Sequence, residues 1–143
     1  MPSGLRLAIV DAGPLYAVTD TDDADHVRCR RLLERPDLHL VLPALVITEV
    51  TYLIGKRLGA GAEAAFLRGL DSLDVAEPQD TDWPRMAELV ERYRDFPLGG
   101  TDASVIALAE RLDTSLVLTL DHRHFGAVKP KHCPKLELLP ELD

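Results

Sequence analysis

Asp11, Glu49, Asp102 and Asp121 each stand where a carboxylate calls for an explanation. Asp11 closes the apolar run Leu7-Ala8-Ile9-Val10 and is followed by Ala12-Gly13-Pro14, the pattern of a buried strand that stops with an acid at its tip. In an open parallel sheet the strand tips face the ligand crevice. Taken alone, Asp11 reads equally well as a turn residue. Glu49 lies four residues after Leu45 and four before Leu53, so helical spacing turns it toward the protein, where an unpaired charge is costly. Asp102 opens a helix, a position the helix dipole favours without any function, yet it precedes Ala109 by seven residues and so falls near the inward stripe. Asp121 follows a second apolar run, Ser115 to Leu120. Four carboxylates brought together would repel one another, and a hard divalent cation with oxygen ligands is the usual resolution. The spacing permits convergence without showing it.

The elements that must position these acids follow from apolar periodicity. Leu7 to Val10 is predicted as a strand, Pro14 to Thr19 as a helical turn, and Asp22 to Glu34 as a helix with Val27, Leu32 and Leu33 inward, stopped by Pro36. His39 to Leu42 is a short strand. Pro43 starts a helix whose apolar side is Leu45, Val46, Val50, Leu53 and Ile54, ending near Leu58 before Gly59. Ala60 to Leu70 reads as a helix, Ser72 to Ala76 as a strand and Thr81 to Arg94 as a helix. Thr101 is expected to cap a helix with Val105, Ile106, Ala109 and Leu112 buried. Ser115 to Leu120 is a strand and Leu136 to Leu139 an edge strand between prolines. The alternation describes an α/β fold, one domain over residues 1–143 with a small parallel sheet and helices on both faces.

The 143 residues suffice for one core without staples, and 46% hydrophobic with 28% charged is a globular composition. No run is long enough to span a membrane, and no basic-then-apolar leader opens the chain, which leads us to expect a cytoplasmic protein. Cys29 and Cys133 are far apart and are expected to be reduced thiols without a functional part. The net charge of -8 argues against nucleic acid only if charge is evenly spread. Arg28, Arg31 and Arg35 share a helical face with Arg30 nearby, and Arg123, Lys129, Lys131 and Lys135 gather near the C-terminus. Either patch alone reads most simply as solvated surface.

The segments Val10-Asp11-Ala12-Gly13-Pro14, Ile47-Thr48-Glu49-Val50, Thr101-Asp102-Ala103-Ser104 and Thr119-Leu120-Asp121-His122-Arg123-His124-Phe125 resemble the four acidic motifs of PIN-domain ribonucleases, specifically the toxins of VapBC toxin-antitoxin modules. Gly13 departs from the pattern, where many members have Ser or Thr. The resemblance implies a PIN-like domain and an endoribonuclease that cuts structured RNA such as tRNA or rRNA. On it Asp11, Glu49, Asp102 and Asp121 form the catalytic set and hold Mg2+ or Mn2+, with Asp121 orienting water or assisting a second ion. It further implies a VapB-like antitoxin as partner and a homodimer, for which the amphipathic stretch from Leu45 to Leu70 offers an apolar surface. Arg28, Arg31, Arg35 and Arg123 are candidate contacts to RNA phosphates. His122 and His124 are left outside the catalytic set, because a metal hydroxide needs no separate base. His132-Cys133 is too short for a metal site, and Trp83 and Tyr93 are assigned to packing rather than base stacking. Two alternatives remain open: a PIN-like RNA-processing nuclease outside a toxin-antitoxin system, or a non-catalytic acidic Mg2+-binding module. Gly13 in place of a second acid counts against a haloacid-dehalogenase-type phosphatase, and a lone Asp11 against a receiver-like switch.

Overall fold

The structure is a computed structural model that describes residues 4–142, so the extreme ends of the expected 1–143 domain lie outside the described residues. Five strands, β1 (Arg6–Val10), β2 (Leu38–Pro43), β3 (Asp74–Ala76), β4 (Leu116–Leu118) and β5 (Glu137–Leu139), form one parallel sheet in the order β3-β2-β1-β4-β5. Seven α-helices connect them: α1 (Ala12–Ala17), α2 (His26–Leu33), α3 (Ala44–Leu58), α4 (Ala60–Gly69), α5 (Asp82–Arg92), α6 (Gly100–Arg111) and α7 (His122–Ala127). The chain walks outward from β1 to β3, then returns past β1 to β4. Right-handed crossovers therefore put α1 to α4 on one face and α5 to α7 on the other. In agreement, α1 packs on α2 and α3, α3 on α4, and α5 on α6. This reversal opens a crevice at the carboxyl ends of β1 and β4.

The core lies where β1 and β4 meet α6. Ala8, Ile9 and Val10, all of β4, and the unbroken stretch from Ala103 to Ala109 are buried. A helix buried over two consecutive turns reads as apolar all round, and the alanines let it approach the sheet. Gly59 sits between α3 and α4 at φ 92, which only glycine adopts without strain, and so makes the hairpin of those two helices possible. Among the described residues, no helix is long and apolar enough to cross a membrane.

Several elements differ from the sequence expectation. Helix α2 begins at His26, not Asp22, because Asp20 and Asp23 accept hydrogen bonds from the backbone N–H of Asp22 and Asp25 and hold that segment in turns. Within α2 the buried residues are Cys29 and Leu32, while Val27 is exposed and Leu33 half-buried. Burial pushes the Cys29 thiol up to about 11, with Asp25 and Asp23 adding to the effect, as suits an inert core thiol. Thr101 is not the cap of α6; Gly99 is, and Thr101 lies inside the first turn. Trp83 is exposed rather than packed, whereas Tyr93 is half-buried and its hydroxyl accepts a hydrogen bond from the N–H of Lys129. Strand β4 stops at Leu118, so Asp121 caps a further helix, α7, that a single Phe125 anchors in the core. The stretch from Leu45 to Leu70 leaves Tyr52, Leu58 and Leu67 exposed.

Helices α5 and α6 are also joined by charge. Arg85 donates to both carboxylate oxygens of Glu110, at 2.8 and 2.9 Å, with each side chain 11% exposed. Burial alone would raise the Glu110 pKa; the Arg85 hydrogen bonds reverse this and hold it below the usual range. Replacing Glu110 by Ala removes both of these bonds and leaves the half-buried guanidinium only Glu88, at 2.7 Å, and we expect a loss of about 3 kcal/mol in denaturant unfolding. A loss under about 1 kcal/mol would instead class the pair with ordinary surface contacts.

Candidate active site

Asp11 follows β1 directly and caps α1, and its N–H donates to the carbonyl of Leu118 at 2.9 Å. The register pairs Val10 with Leu118, which sets Asp11 beside Thr119 at the crevice. Thr119 is fully buried. Its hydroxyl donates to Oδ2 of Asp11 at 2.8 Å and accepts the N–H of Asp121 at 2.9 Å, so one side chain ties two acids across the strand ends. Asp11 is 6% exposed, and burial pushes its pKa up to about 6, against the Thr119 and Ala12 hydrogen bonds and with help from the charges of Asp102 and Asp121.

The other three acids converge on the same place. A cleft of about 610 Å³ is lined by Asp11, Glu49, Asp102 and Asp121, together with Asp23 and Arg57. Glu49 is not turned into the core, as its spacing suggested. Val46, Ile47, Val50 and Ile54 form the buried face of α3, and Glu49 shares the cleft-facing flank with the half-buried Leu53. Its pKa is raised by desolvation and by Asp11. Asp102 sits in the first turn of α6, where the helix dipole would favour ionisation, yet its pKa is raised as well. Desolvation and the charges of Asp121 and Glu49 outweigh the dipole, His124 and a Gly99 backbone hydrogen bond. Asp121 accepts the N–H of His124 at 3.0 Å and touches the His124 ring nitrogen at 2.8 Å.

The donor set is made of carboxylates alone, which suits a hard cation, and the raised pKa values reflect desolvation first and mutual repulsion second, both of which such an ion would offset. Among the described residues no three such side chains are gathered closely enough to ligate one ion together. The acids surround a space rather than a point.

Of the candidate RNA contacts, Arg28, Arg31, Arg35 and Arg123 do not line the cleft. Arg28 pairs with Asp25, Arg35 pairs with Asp37, and Arg123 lies over the Phe96 ring. The cleft's cation is Arg57, which the sequence reading passed over as the end of an apolar helix. Thr119 was also missed, since a Thr in an apolar run looks like strand. The available signal was its place two residues before Asp121. Gly13 has a local reason: a Cβ there would meet Leu120 at 3.3 Å, so Leu120 fills the wall where a larger residue would stand.

Comparison with known proteins gives the family and the fold. The PIN domain family profile matches residues 8–129. The chain is 32% identical over 134 residues to the ribonuclease VapC26 of Mycobacterium tuberculosis, covering 92% of this chain and 99% of that protein. Among solved structures, the sarcin-ricin loop cleaving toxin VapC20 of Mycobacterium tuberculosis superposes with a TM-score of 0.69 at 20% identity, covering 77% of this chain and 86% of that one. VapBC2 of Rickettsia felis, bound to a fragment of its promoter DNA, gives 0.68 at 14% identity, covering 94% and 98%. These two likenesses are of fold.

Asp11 makes a pH signature. With a folded pKa of about 6 against an ordinary 3.8, the native state holds the extra proton between those values, so its contribution to stability falls as pH rises from about 4 to about 6 and is level above. The metal-free Asp11→Asn protein, whose amide still accepts from Thr119, should gain about 3 kcal/mol on wild type across that window. Equal pH slopes for the two proteins would show that Asp11 titrates normally.

Proposed function

The chain belongs to the PIN-domain family, and on that premise we propose that it is a metal-dependent endoribonuclease, the toxin of a VapBC-type module. One observation carries the reading: the acids of four separate motifs, just after β1, on α3, on α6 and at the cap of α7, line one cleft at the switch point of the sheet. The ribonuclease name of the relative that matches nearly end to end supports the activity. Structured RNA, a tRNA or an rRNA, is the substrate class proposed, and Mg2+ or Mn2+ the ion. A VapB-like antitoxin is the proposed partner, as in the neighbouring complexes, and a homodimer the proposed assembly.

Asp11, Glu49, Asp102 and Asp121 would hold the ion. When bound, a divalent cation offsets charge on phosphate oxygens and makes its water acidic enough to supply hydroxide near neutral pH. The chain's own residues do the positioning. Thr119 fixes the Asp11 carboxylate through one oxygen and the Asp121 backbone through its N–H, so the two acids move together. With its pKa raised to about 6, Asp11 is mostly ionised near neutral pH and would be available to hold such an ion.

The test is incubation of purified protein with total RNA in Mg2+ and in EDTA. We expect cleavage in Mg2+ alone and none by Asp11→Asn. Thr119→Val, which removes the shared hydroxyl and preserves shape, should lower activity roughly 10- to 100-fold. Cleavage that persists in EDTA or in Asp11→Asn overturns the reading. Mg2+ should also raise the melting temperature of wild type, the free energy gain reaching about 2.7 kcal/mol at a hundredfold excess over the dissociation constant.

A further inference from the structure

The cleft holds one side chain of the wrong sign. Arg57 lines it together with five acids, Asp11, Asp23, Glu49, Asp102 and Asp121, and among the described residues it forms no ion pair within 4 Å. An arginine among carboxylates usually pairs with one of them. Here the guanidinium lies 5.0 Å from the centre of the Tyr16 ring, near enough to the Tyr16 hydroxyl and to Asp20 to act on both without forming an ion pair. Tyr16 is 5% exposed, and its hydroxyl donates to Asp20 at 2.8 Å, so the platform under Arg57 is itself fixed. Arg57 is exposed above it. A guanidinium held over an aromatic face can still offer donors to a ligand, and it loses less freedom on meeting one.

Its position says which ligand. Glu49, Leu53 and Arg57 recur every four residues on α3 and all line the cleft. Eight residues at 1.5 Å rise place Arg57 about 12 Å along the axis from Glu49. Resting on the nuclease reading above, we propose that Arg57 is a substrate-positioning residue that binds a backbone phosphate of the RNA displaced along the strand from the one over the carboxylates. A polyanion entering a cleft of acids needs a fixed positive contact besides any ion, and the guanidinium on Tyr16 supplies it in a bidentate geometry suited to phosphate. None of the surface arginines predicted from sequence stands in this cleft.

The test separates this role from the chemistry. Binding of a labelled synthetic RNA hairpin is measured against salt concentration for Asp11→Asn and for Asp11→Asn with Arg57→Ala. Loss of Arg57 should weaken binding about tenfold and reduce the slope of log affinity against log salt by about 0.7 to 0.9, one phosphate contact. Arg57→Lys should recover the slope but only part of the affinity, since ammonium neither stacks nor forks. In otherwise wild-type protein with Mg2+, the Arg57→Ala loss should fall on KM rather than kcat, with the Mg2+-induced rise in melting temperature unchanged. An unaltered salt slope overturns the proposal. So does a diminished Mg2+ shift, because Arg57 would then be acting on the carboxylates. Failure of the nuclease reading itself appears separately, as no Mg2+-dependent cleavage by protein with Arg57 intact, and the hairpin-binding arm still decides whether Arg57 meets phosphate.

Discussion

The site depends on one buried hydrogen bond, from the Thr119 hydroxyl to Asp11. A carboxylate as enclosed as Asp11 must find a donor or lose its charge, and water cannot reach it freely. Thr119 meets that need from the neighbouring strand, which is possible only because β1 and β4 are paired in parallel with their ends level. The same hydroxyl accepts from the Asp121 backbone and thereby sets where the chain leaves the sheet and turns into α7. Strand order, the first acid and the last acid are thus joined through a single oxygen atom.

Electrostatics then explains how an acidic protein can serve a polyanion. The net charge of -8 describes the molecule, not the cleft. Inside the cleft, desolvation and mutual repulsion raise the pKa values of Asp11, Glu49 and Asp102, so the site stores unfavourable energy that a cation releases. Several arginines outside the cleft are already occupied: Arg6, Arg28, Arg35, Arg85 and Arg111 are in ion pairs. A screened surface pair has little field left to offer a substrate. The guanidinium over Tyr16 forms no such pair, and it lines the cleft.

Much of this was legible in the sequence, for physical reasons that can be named. Apolar runs ending in acids located β1 with Asp11, and helical periodicity located α3 and α6, because burial imposes a period on long elements. The acids were found by their places at the ends of those elements and, for Glu49, by interrupting an apolar flank. What escaped was local or non-periodic. Helix α7 has six residues and one buried anchor, too few for a period. The start of α2 was lost to Asp side chains that capture backbone N–H groups. Val27 and Trp83 are apolar yet exposed, and apolar type alone does not fix direction on a short helix. Glu49 lay one helical step from where it was placed, which separates a buried charge from one at the rim of a cleft.

Thr119 and Arg57 escaped for a deeper reason. Each draws its meaning from a partner remote in sequence: Thr119 from Asp11, 108 positions away, and Arg57 from Tyr16 across the packing of α3 on α1. A polar residue in a strand and a basic residue in the last turn of a helix both satisfy local rules completely. The acids stand at strand ends, helix starts and an apolar flank in a series that could be read together, whereas the residues that hold or complement them belong to no such series. The split follows from energetics, since the groups that carry the strain of a site stand out against the pattern of folding, and the groups that relieve it agree with that pattern. Supporting residues therefore become visible only when the fold brings them to the strained ones.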